Sequence, residues 1–357
     1  MKIYAFHLLN DYSGSPKVLR QLAKGWIQNG LECHIVTCGG REGFLSEIEG
    51  ATYHHYWYKF AQNPLLRLIF LMFSQLLLII KMFAIVKKND VIYVNTVLPF
   101  GAGILGKIKG CKVIYHIHET SMKPWILKKF LFGMADFTAI EVVYVSQYLA
   151  DQEAMKRPSH VVYNALESSF LKTAVANRKT LPDYKNVLMI CSLKAYKGVN
   201  EFVQLAKKHA EYNFRLVVNA SVSDINQYFS GQNLPANITI FPTQKDVHQQ
   251  YQWADVVLNL SRPDAWVETF GLTVIEAMAY GIPVIVPPVG GIAELVENGI
   301  NGYKADSRNV NHVSHLLKEI LDENALYNYM QLQAIKLVKK YDEDGFVKQS
   351  LDVLNLN

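Results

Sequence analysis

The sequence predicts two successive doubly wound α/β domains, each built on a parallel sheet. Three observations lead there. Through the first half, short runs rich in β-branched and aromatic residues alternate with helix-length apolar stripes, the pattern of βαβ units. From Lys185 onward the second half repeats that pattern. The length of 357 residues suits two domains of ordinary size.

Lys2–Leu9 reads as the first strand, and Asn10–Ser15 as a turn. Pro16 then takes the first helical position, where its missing N–H costs nothing. Val18, Leu19, Leu22, Trp26 and Ile27 form the apolar stripe of the helix that follows. Further strands are expected at Cys33–Cys38, Asp90–Asn95, Lys112–His118, Glu141–Ser146 and Val161–Asn164. The polar stretch between Leu166 and Tyr184, with Asn177, Arg178, Lys179, Pro182 and Asp183, reads as a linker. Beyond it come strands at Lys185–Ser192, Arg215–Ala220, Asn237–Phe241, Asp255–Leu260 and Ile282–Val286. Helices are expected at Gly198–Ala210 and Leu272–Tyr280, and the tail from Val310 is helical. The domains are therefore placed at 1–170 and 171–340.

Composition narrows the function classes. Half the residues are apolar and 19% charged, which excludes a disordered chain. A mean hydropathy of +0.06 excludes a multi-span membrane protein. The net charge of +5 suits anionic ligands, yet no dense basic stripe with interleaved aromatics marks a nucleic-acid binder. Cys33, Cys38, Cys111 and Cys191 form no CxxC pair and have no histidines at zinc-ligand spacing. They read as buried thiols in a reducing compartment. The first residues form a strand rather than a signal peptide, so a cytoplasmic location is expected.

Ligands of open α/β sheets bind beyond the carboxyl ends of the strands. Asp11–Ser15, Asn95–Thr96, His116–Glu119, Ser192–Lys197, Asn219–Ser221 and Arg262–Thr273 fall there. The most informative segment runs from Glu268 to Glu276. Two glutamates eight residues apart flank Phe270-Gly271-Leu272-Thr273, a glycine-bearing turn that opens a helix. Unpaired amides and the helix dipole make such a turn a seat for phosphate or sugar hydroxyls. A carboxylate at Glu276 can accept two vicinal hydroxyls of a ribose, and Glu268 those of a second sugar.

The whole run resembles the retaining GT-B glycosyltransferases of family 4. Glu268-x7-Glu276 with Phe270-Gly271 leads into Glu276-Ala277-Met278-Ala279-x-Gly281-x-Pro283-Val284, and then into Pro288-Val289-Gly290-Gly291-Ile292-Ala293-Glu294. The resemblance is strong over Lys185–Asp306 and moderate before it. It implies two Rossmann-like domains facing across a cleft, with a final helix near 341–357 packing back on the first domain. The C-terminal domain would bind a nucleotide-diphospho-sugar, and the N-terminal domain a saccharide or lipid-linked acceptor. Glu276 would hold the ribose and Glu268 the donor sugar. The backbone of Phe270, Gly271, Leu272 and Thr273 would face sugar and diphosphate.

The resemblance also implies that Lys197, in Ser192-Leu193-Lys194-Ala195-Tyr196-Lys197-Gly198, neutralises the leaving diphosphate. Ser192 stands where the family carries arginine, and Lys194 offers a replacement charge without the bidentate geometry. Gly14 and the Ser15 N–H, opening the first helix, stand in for the family's Gly-Gly loop. His118, at the end of its strand, is placed at the reaction centre beside donor sugar or acceptor. Asn219 and Gln244 are placed near the base. No Asp-x-Asp motif is present, so metal-independent transfer without a cofactor is expected. The implied activity is retaining hexosyl transfer in surface polysaccharide assembly. Two other readings are a sugar-nucleotide epimerase on the same scaffold and a non-catalytic GT-B partner subunit.

One stretch fits none of this chemistry. After the cap Asn63 and Pro64, an apolar run extends to Val86. Only Leu68–Ile80 is free of charge, roughly 20 Å of helix and short of a bilayer's roughly 30 Å. Arg67, Ser74, Lys81 and Lys88 recur every seven residues as one polar stripe. A helix so apolar elsewhere lies deep in its domain or meets a membrane or partner. Lys87, Lys88, Lys107, Lys109, Lys123, Lys128 and Lys129 nearby favour peripheral contact with an anionic membrane. Trp125 with Lys128 and Lys129 reads as an acceptor entrance.

Overall fold

The structure is a computed structural model that describes residues 2–179 and 182–354. Thr180 and Leu181 of the expected linker, and Asn355, Leu356 and Asn357 of the expected last helix, lie outside the described residues. The chain divides into two units, Met1–Asn164 with Asp344–Asn357, and Ala165–Glu343.

The first unit is a seven-stranded parallel sheet in the order β3-β2-β1-β4-β5-β6-β7. Its strands are β1 (Lys2–Phe6), β2 (Glu32–Cys38), β3 (Thr52–Tyr56), β4 (Val91–Asn95), β5 (Lys112–Ile117), β6 (Glu141–Tyr144) and β7 (Ser159–Val161). Helices α1 (Gly14–Gln28), α2 (Pro64–Phe83), α3 (Phe100–Lys109), α4 (Trp125–Thr138) and α5 (Gln147–Gln152) supply the crossovers. The central strands β1 and β4 are nearly or wholly buried along their length, because helices cover both faces of a parallel sheet.

The second unit repeats the scheme with six parallel strands in the order β10-β9-β8-β11-β12-β13. These are β8 (Asn186–Ser192), β9 (Asn213–Asn219), β10 (Ile238–Phe241), β11 (Val256–Leu258), β12 (Val284–Val286) and β13 (Gly302–Lys304). Seven helices belong to it: α6 (Ser168–Ala176), α7 (Val199–Lys208), α8 (Val222–Tyr228), α9 (His248–Trp253), α10 (Leu272–Ala279), α11 (Val310–Asp322) and α12 (Asn324–Leu337). Its core joins α7 and α11 to the strands through Phe202, Phe214, Leu216, Leu317 and Ile320.

The last helix, α13 (Glu343–Leu354), packs on the first unit. Trp26 Nε1 donates to Ser350 Oγ at 3.0 Å, and Lys112 Nζ to the Val353 carbonyl at 2.7 Å. Gly25 permits the close approach of α1 to α13, since a Cβ there would lie 2.4 Å from Val347 Cγ2.

Three elements differ from the sequence reading. The expected linker contains α6, and the edge strand β3 and the three-residue β13 were not expected. The fourth finding concerns α2. It is a continuous helix of 20 residues, longer than the uncharged run, yet only 28% of its most apolar 18-residue window is buried. Ser74 and Gln75 are among its buried residues, with Leu71, Leu78 and Met82. The helix therefore lies on the surface of its unit with Ser74 and Gln75 turned inward and Lys81 left exposed.

Candidate functional site

In each unit the strand order reverses beside the first strand of the sheet. The reversal falls between β1 and β4 in the first unit and between β8 and β11 in the second. Chain segments leaving such neighbours diverge to opposite faces, which opens a crevice at their carboxyl ends.

In the second unit, β8 leads through Ser192 and Lys194 into one turn of 3-10 helix at Ala195–Lys197. Gly198 then takes φ +80, and a Cβ on it would lie 2.2 Å from the Leu260 carbonyl oxygen. The loop after β11 packs there, and Arg262 N donates to the Tyr196 carbonyl at 2.8 Å. The two loops bring their functional side chains together. Lys197 Nζ lies 2.6 Å from Glu268 Oε1, and Ser261 Oγ donates to the same oxygen at 2.6 Å. The Trp266 ring stacks on Tyr196 with centroids 5.2 Å apart, and Lys197 Nζ sits 4.7 Å from the Trp266 centroid. Burial pushes the Glu268 carboxyl upward. Lys197 and the hydrogen bonds from Lys197 and Ser261 outweigh it and hold the group below the usual carboxylate range.

Behind Glu268 the chain turns at Gly271, φ +131, into α10, whose N-terminus carries no side-chain cap. Gly271, Leu272 and Thr273 are half-buried. Phe270 is more enclosed, 4% exposed with its ring 6.0 Å from that of Tyr341. Gly290 fits beneath this turn, because a Cβ at its φ of +106 would meet the Glu268 carbonyl oxygen at 2.4 Å. Glu276 lies one helical turn further in and is 4% exposed. Tyr251 O–H donates to its Oε2 at 2.7 Å from α9. Burial, then the adjacent Glu276, push the Tyr251 phenol well above its ordinary value, so it stays a donor.

Asn219, at the end of β9, is exposed, and its Oδ1 accepts from Thr243 Oγ1 at 3.0 Å. Gln244 follows Thr243, and its Oε1 accepts from Gln250 Nε2 at 3.0 Å. These two residues thus occupy neighbouring loops, with Asn219 beside Ser192 in the sheet register. Lys194 is exposed, whereas Ser192 is half-buried.

In the first unit the expected His118 and Gly14–Ser15 are tied together by a residue that sequence reasoning placed on the rim without a role. Asn95, fully buried at the end of β4, donates from Nδ2 to the Ser15 carbonyl at 3.0 Å. Its Oδ1 accepts from His118 Nε2 at 2.8 Å. His7 Nδ1, 3.0 Å from Asn95 Nδ2 and 3.2 Å from the Asn95 carbonyl oxygen, completes the cluster. Burial drives His7 down to about 4 and His118 well below its ordinary value, so both rings are neutral near pH 7. Thr96, next in the chain, holds φ +71, a strained conformation for a β-branched residue of the kind that accumulates at functional sites. Glu119 braces both loops, accepting from Val97 N at 2.9 Å and His118 N at 3.0 Å. Burial pushes its carboxyl up to about 7. His116 packs its ring 4.2 Å from that of His118 but is fully buried, with Nδ1 2.9 Å from the Tyr93 hydroxyl.

Asn95, Glu119, Ser261, Trp266 and Tyr251 were not among the expected site residues. The strand-end position of Asn95 was a usable signal. Tyr251 had none, because it reaches Glu276 from a separate helix.

Two parallel-sheet Rossmann-like units in one chain are the architecture of the GT-B glycosyltransferases. Comparison with known proteins carries this to the family. A profile described as "Glycosyl transferases group 1" matches residues 173–337, and one described as "Glycosyltransferase Family 4" matches residues 12–170. The chain belongs to this glycosyltransferase family. It is 24% identical to N-acetyl-alpha-D-glucosaminyl L-malate synthase of Bacillus anthracis over 92% of each protein. It is 23% identical to an uncharacterised glycosyltransferase of Methanocaldococcus jannaschii over 72% of this chain and 73% of that one. Among solved structures, Anabaena HepE in complex with UDP and glucose superposes with a TM-score of 0.81 at 19% identity, covering 100% of both chains. Sucrose-phosphate synthase of Thermosynechococcus elongatus does so at 0.80 and 17%, covering 99% and 98%.

Proposed function

We propose that this glycosyltransferase moves a hexose from a nucleotide-diphospho-sugar to a saccharide or lipid-linked acceptor, with retention of configuration, in surface polysaccharide assembly. The observation that carries the reading is the Lys197–Glu268–Ser261 cluster at the uncapped N-terminus of α10. It combines a cation and helix amides for a leaving diphosphate with a carboxylate for sugar hydroxyls. Glu276, buried behind the same turn, takes the ribose.

In this reading the transfer uses no metal ion and no cofactor. Lys197 and the amides of the Phe270–Thr273 turn stabilise charge on the departing diphosphate, and Glu268 orients the sugar. Gly14, Ser15 and His118 serve the same reaction from the first unit, and Lys194 takes over part of the charge of the family arginine. The Anabaena neighbour, seen in complex with UDP and glucose, makes a uridine diphosphate sugar the first donor to try. The Bacillus relative is named as a glucosaminyl synthase, which favours transfer over an epimerase or a silent subunit. Work at the inner face of the plasma membrane, with peripheral contact to anionic lipid, completes the proposal. The exposed apolar surface of α2 supports it.

Incubation with a panel of activated hexoses tests the reading. Release of nucleotide from one donor is expected, with an acceptor-dependent product of the donor's own anomeric configuration. Release from none would leave a non-catalytic protein, and an inverted product would remove retention.

A further inference from the structure

We propose that the α2–α3–α4 face of the first unit seats in the plane of a bilayer rich in anionic lipid. The polarity of α2 is the starting point. Its Gln75 Oε1 accepts from Gly101 N of α3 at 3.0 Å, Arg67 Nε donates to the Ala61 carbonyl at 2.8 Å, and Lys81 Nζ donates to the His55 carbonyl. Gln75 thereby anchors the helix to α3, while Arg67 and the exposed Lys81 bond the preceding loop and β3. The opposite side presents Ile69, Phe73, Leu76 and Ile80 to solvent, Ile80 with 62% of its surface exposed. The exposed surface extends beyond α2. Helix α3 packs against both α2 and α4, and it bears Ile108, while α4 opens with Trp125 and Ile126, 67% and 66% exposed. A patch of this composition on three helices marks an interaction surface.

Charge selects the occupant. Helices α2 and α3 contain no Asp or Glu, and α4 has only Asp136, which accepts from Lys156 N at 2.8 Å. Cations border the patch and lie on its aromatic rings. Lys109 Nζ is 4.0 Å from the Phe83 centroid, Lys107 Nζ 4.1 Å from that of Phe137, and Lys129 Nζ 5.7 Å from that of Trp125. Apolar side chains ringed by lysine match acyl chains beneath anionic headgroups. A second copy is a poor fit, because a two-fold contact would set lysine against lysine. The inward hydrogen bonds of α2 fix it as a helix lying on the membrane rather than crossing it. On this view Lys128 is not part of the lipid contact, since its Nζ pairs with Glu153 at 2.5 Å. The sequence reading had placed it at an acceptor entrance.

The inference rests on the proposed function for its purpose, delivery of a membrane-held acceptor, but its test does not use transfer. The full chain is floated with vesicles of phosphatidylcholine alone and of phosphatidylcholine with phosphatidylglycerol. Flotation with the anionic vesicles is expected, weakened by salt. Ile69→Ser with Ile80→Ser should reduce the bound fraction at least tenfold, as should Lys107→Glu with Lys109→Glu, with far-UV circular dichroism and nucleotide-induced thermal shift unchanged. No flotation at low ionic strength overturns the proposal, as does a concentration-dependent dimer or an acidic partner protein that the same substitutions release. An intact chain that does not float yet transfers to a soluble acceptor would fell the membrane seat alone. Flotation without transfer would fell the proposed function alone.

Discussion

Lys197 Nζ and Glu268 Oε1 stand 2.6 Å apart, with side chains only 13% and 19% exposed. The pair keeps a cation poised for the diphosphate and keeps the glutamate ionised. Lys197→Ala should lower kcat about 10²–10³-fold, the usual cost of one electrostatic contact to a developing anion. It should also release Glu268 from the charge that holds its carboxyl low, so the acid limb of the kcat/KM profile moves to higher pH. A pH profile of the variant with an unshifted acid limb would separate the two residues functionally.

Gly290 supports Glu268 from below. Alanine there meets the Glu268 carbonyl oxygen and must adopt φ +106. Gly290→Ala should cost about 1–3 kcal/mol of stability and most of the transfer rate, read as a lower thermal midpoint and a lower kcat. Full activity would show that the turn can shift without consequence.

Tyr251 positions Glu276 through a hydrogen bond to a buried carboxylate, a contact worth about 1.5–3 kcal/mol. Tyr251→Phe should therefore raise the nucleotide Kd roughly tenfold or more with little change in kcat. A fall in kcat at unchanged nucleotide affinity would place Tyr251 elsewhere in the reaction.

Acid should open the first unit early. His7, lowered to about 4, His116, lowered to about 3, and His118 are kept neutral by burial. Between those values and the unfolded 6.5 the unfolded chain binds more protons, so stability is full above 6.5 and lost as pH falls through 6 and 5. His7 and His116 each cost about 2 kcal/mol by pH 5, and Glu119, raised to about 7, holds its proton in the folded state over the same range and offsets about one of them. Hydrogen exchange of β1, β4 and β5 should accelerate from pH 6.5 downward. Protection that stays level down to about pH 5 would contradict the neutral-histidine cluster.

Much of this architecture is legible in the sequence because it is written locally. Strand and helix periods show directly, and the Glu268–Glu276 run joins turn, helix and strand in one continuous segment. Elements lacking that local signature escape. The edge strand β3 reads Thr-Tyr-His-His-Tyr, without apolar alternation, and β13 is three residues long. Asn95 sits at a strand end, which marks the rim, but its partners Ser15 and His118 lie 80 and 23 residues away, so no local pattern announces its role. For α2 the heptad stripe through Ser74 was visible, but periodicity carries no sign. Only the burial of Ser74 and the bond from Gly101 to the neighbouring Gln75 show that its middle faces inward.

The central claim is that the Glu268–Glu276 turn grips an activated sugar through its nucleotide. Calorimetric titration of UDP, GDP, ADP and dTDP into the intact protein and into Glu276→Ala tests it directly. One nucleotide should bind the intact protein and none the variant. Equal affinity for both proteins, or binding of no nucleotide at all, would contradict the account.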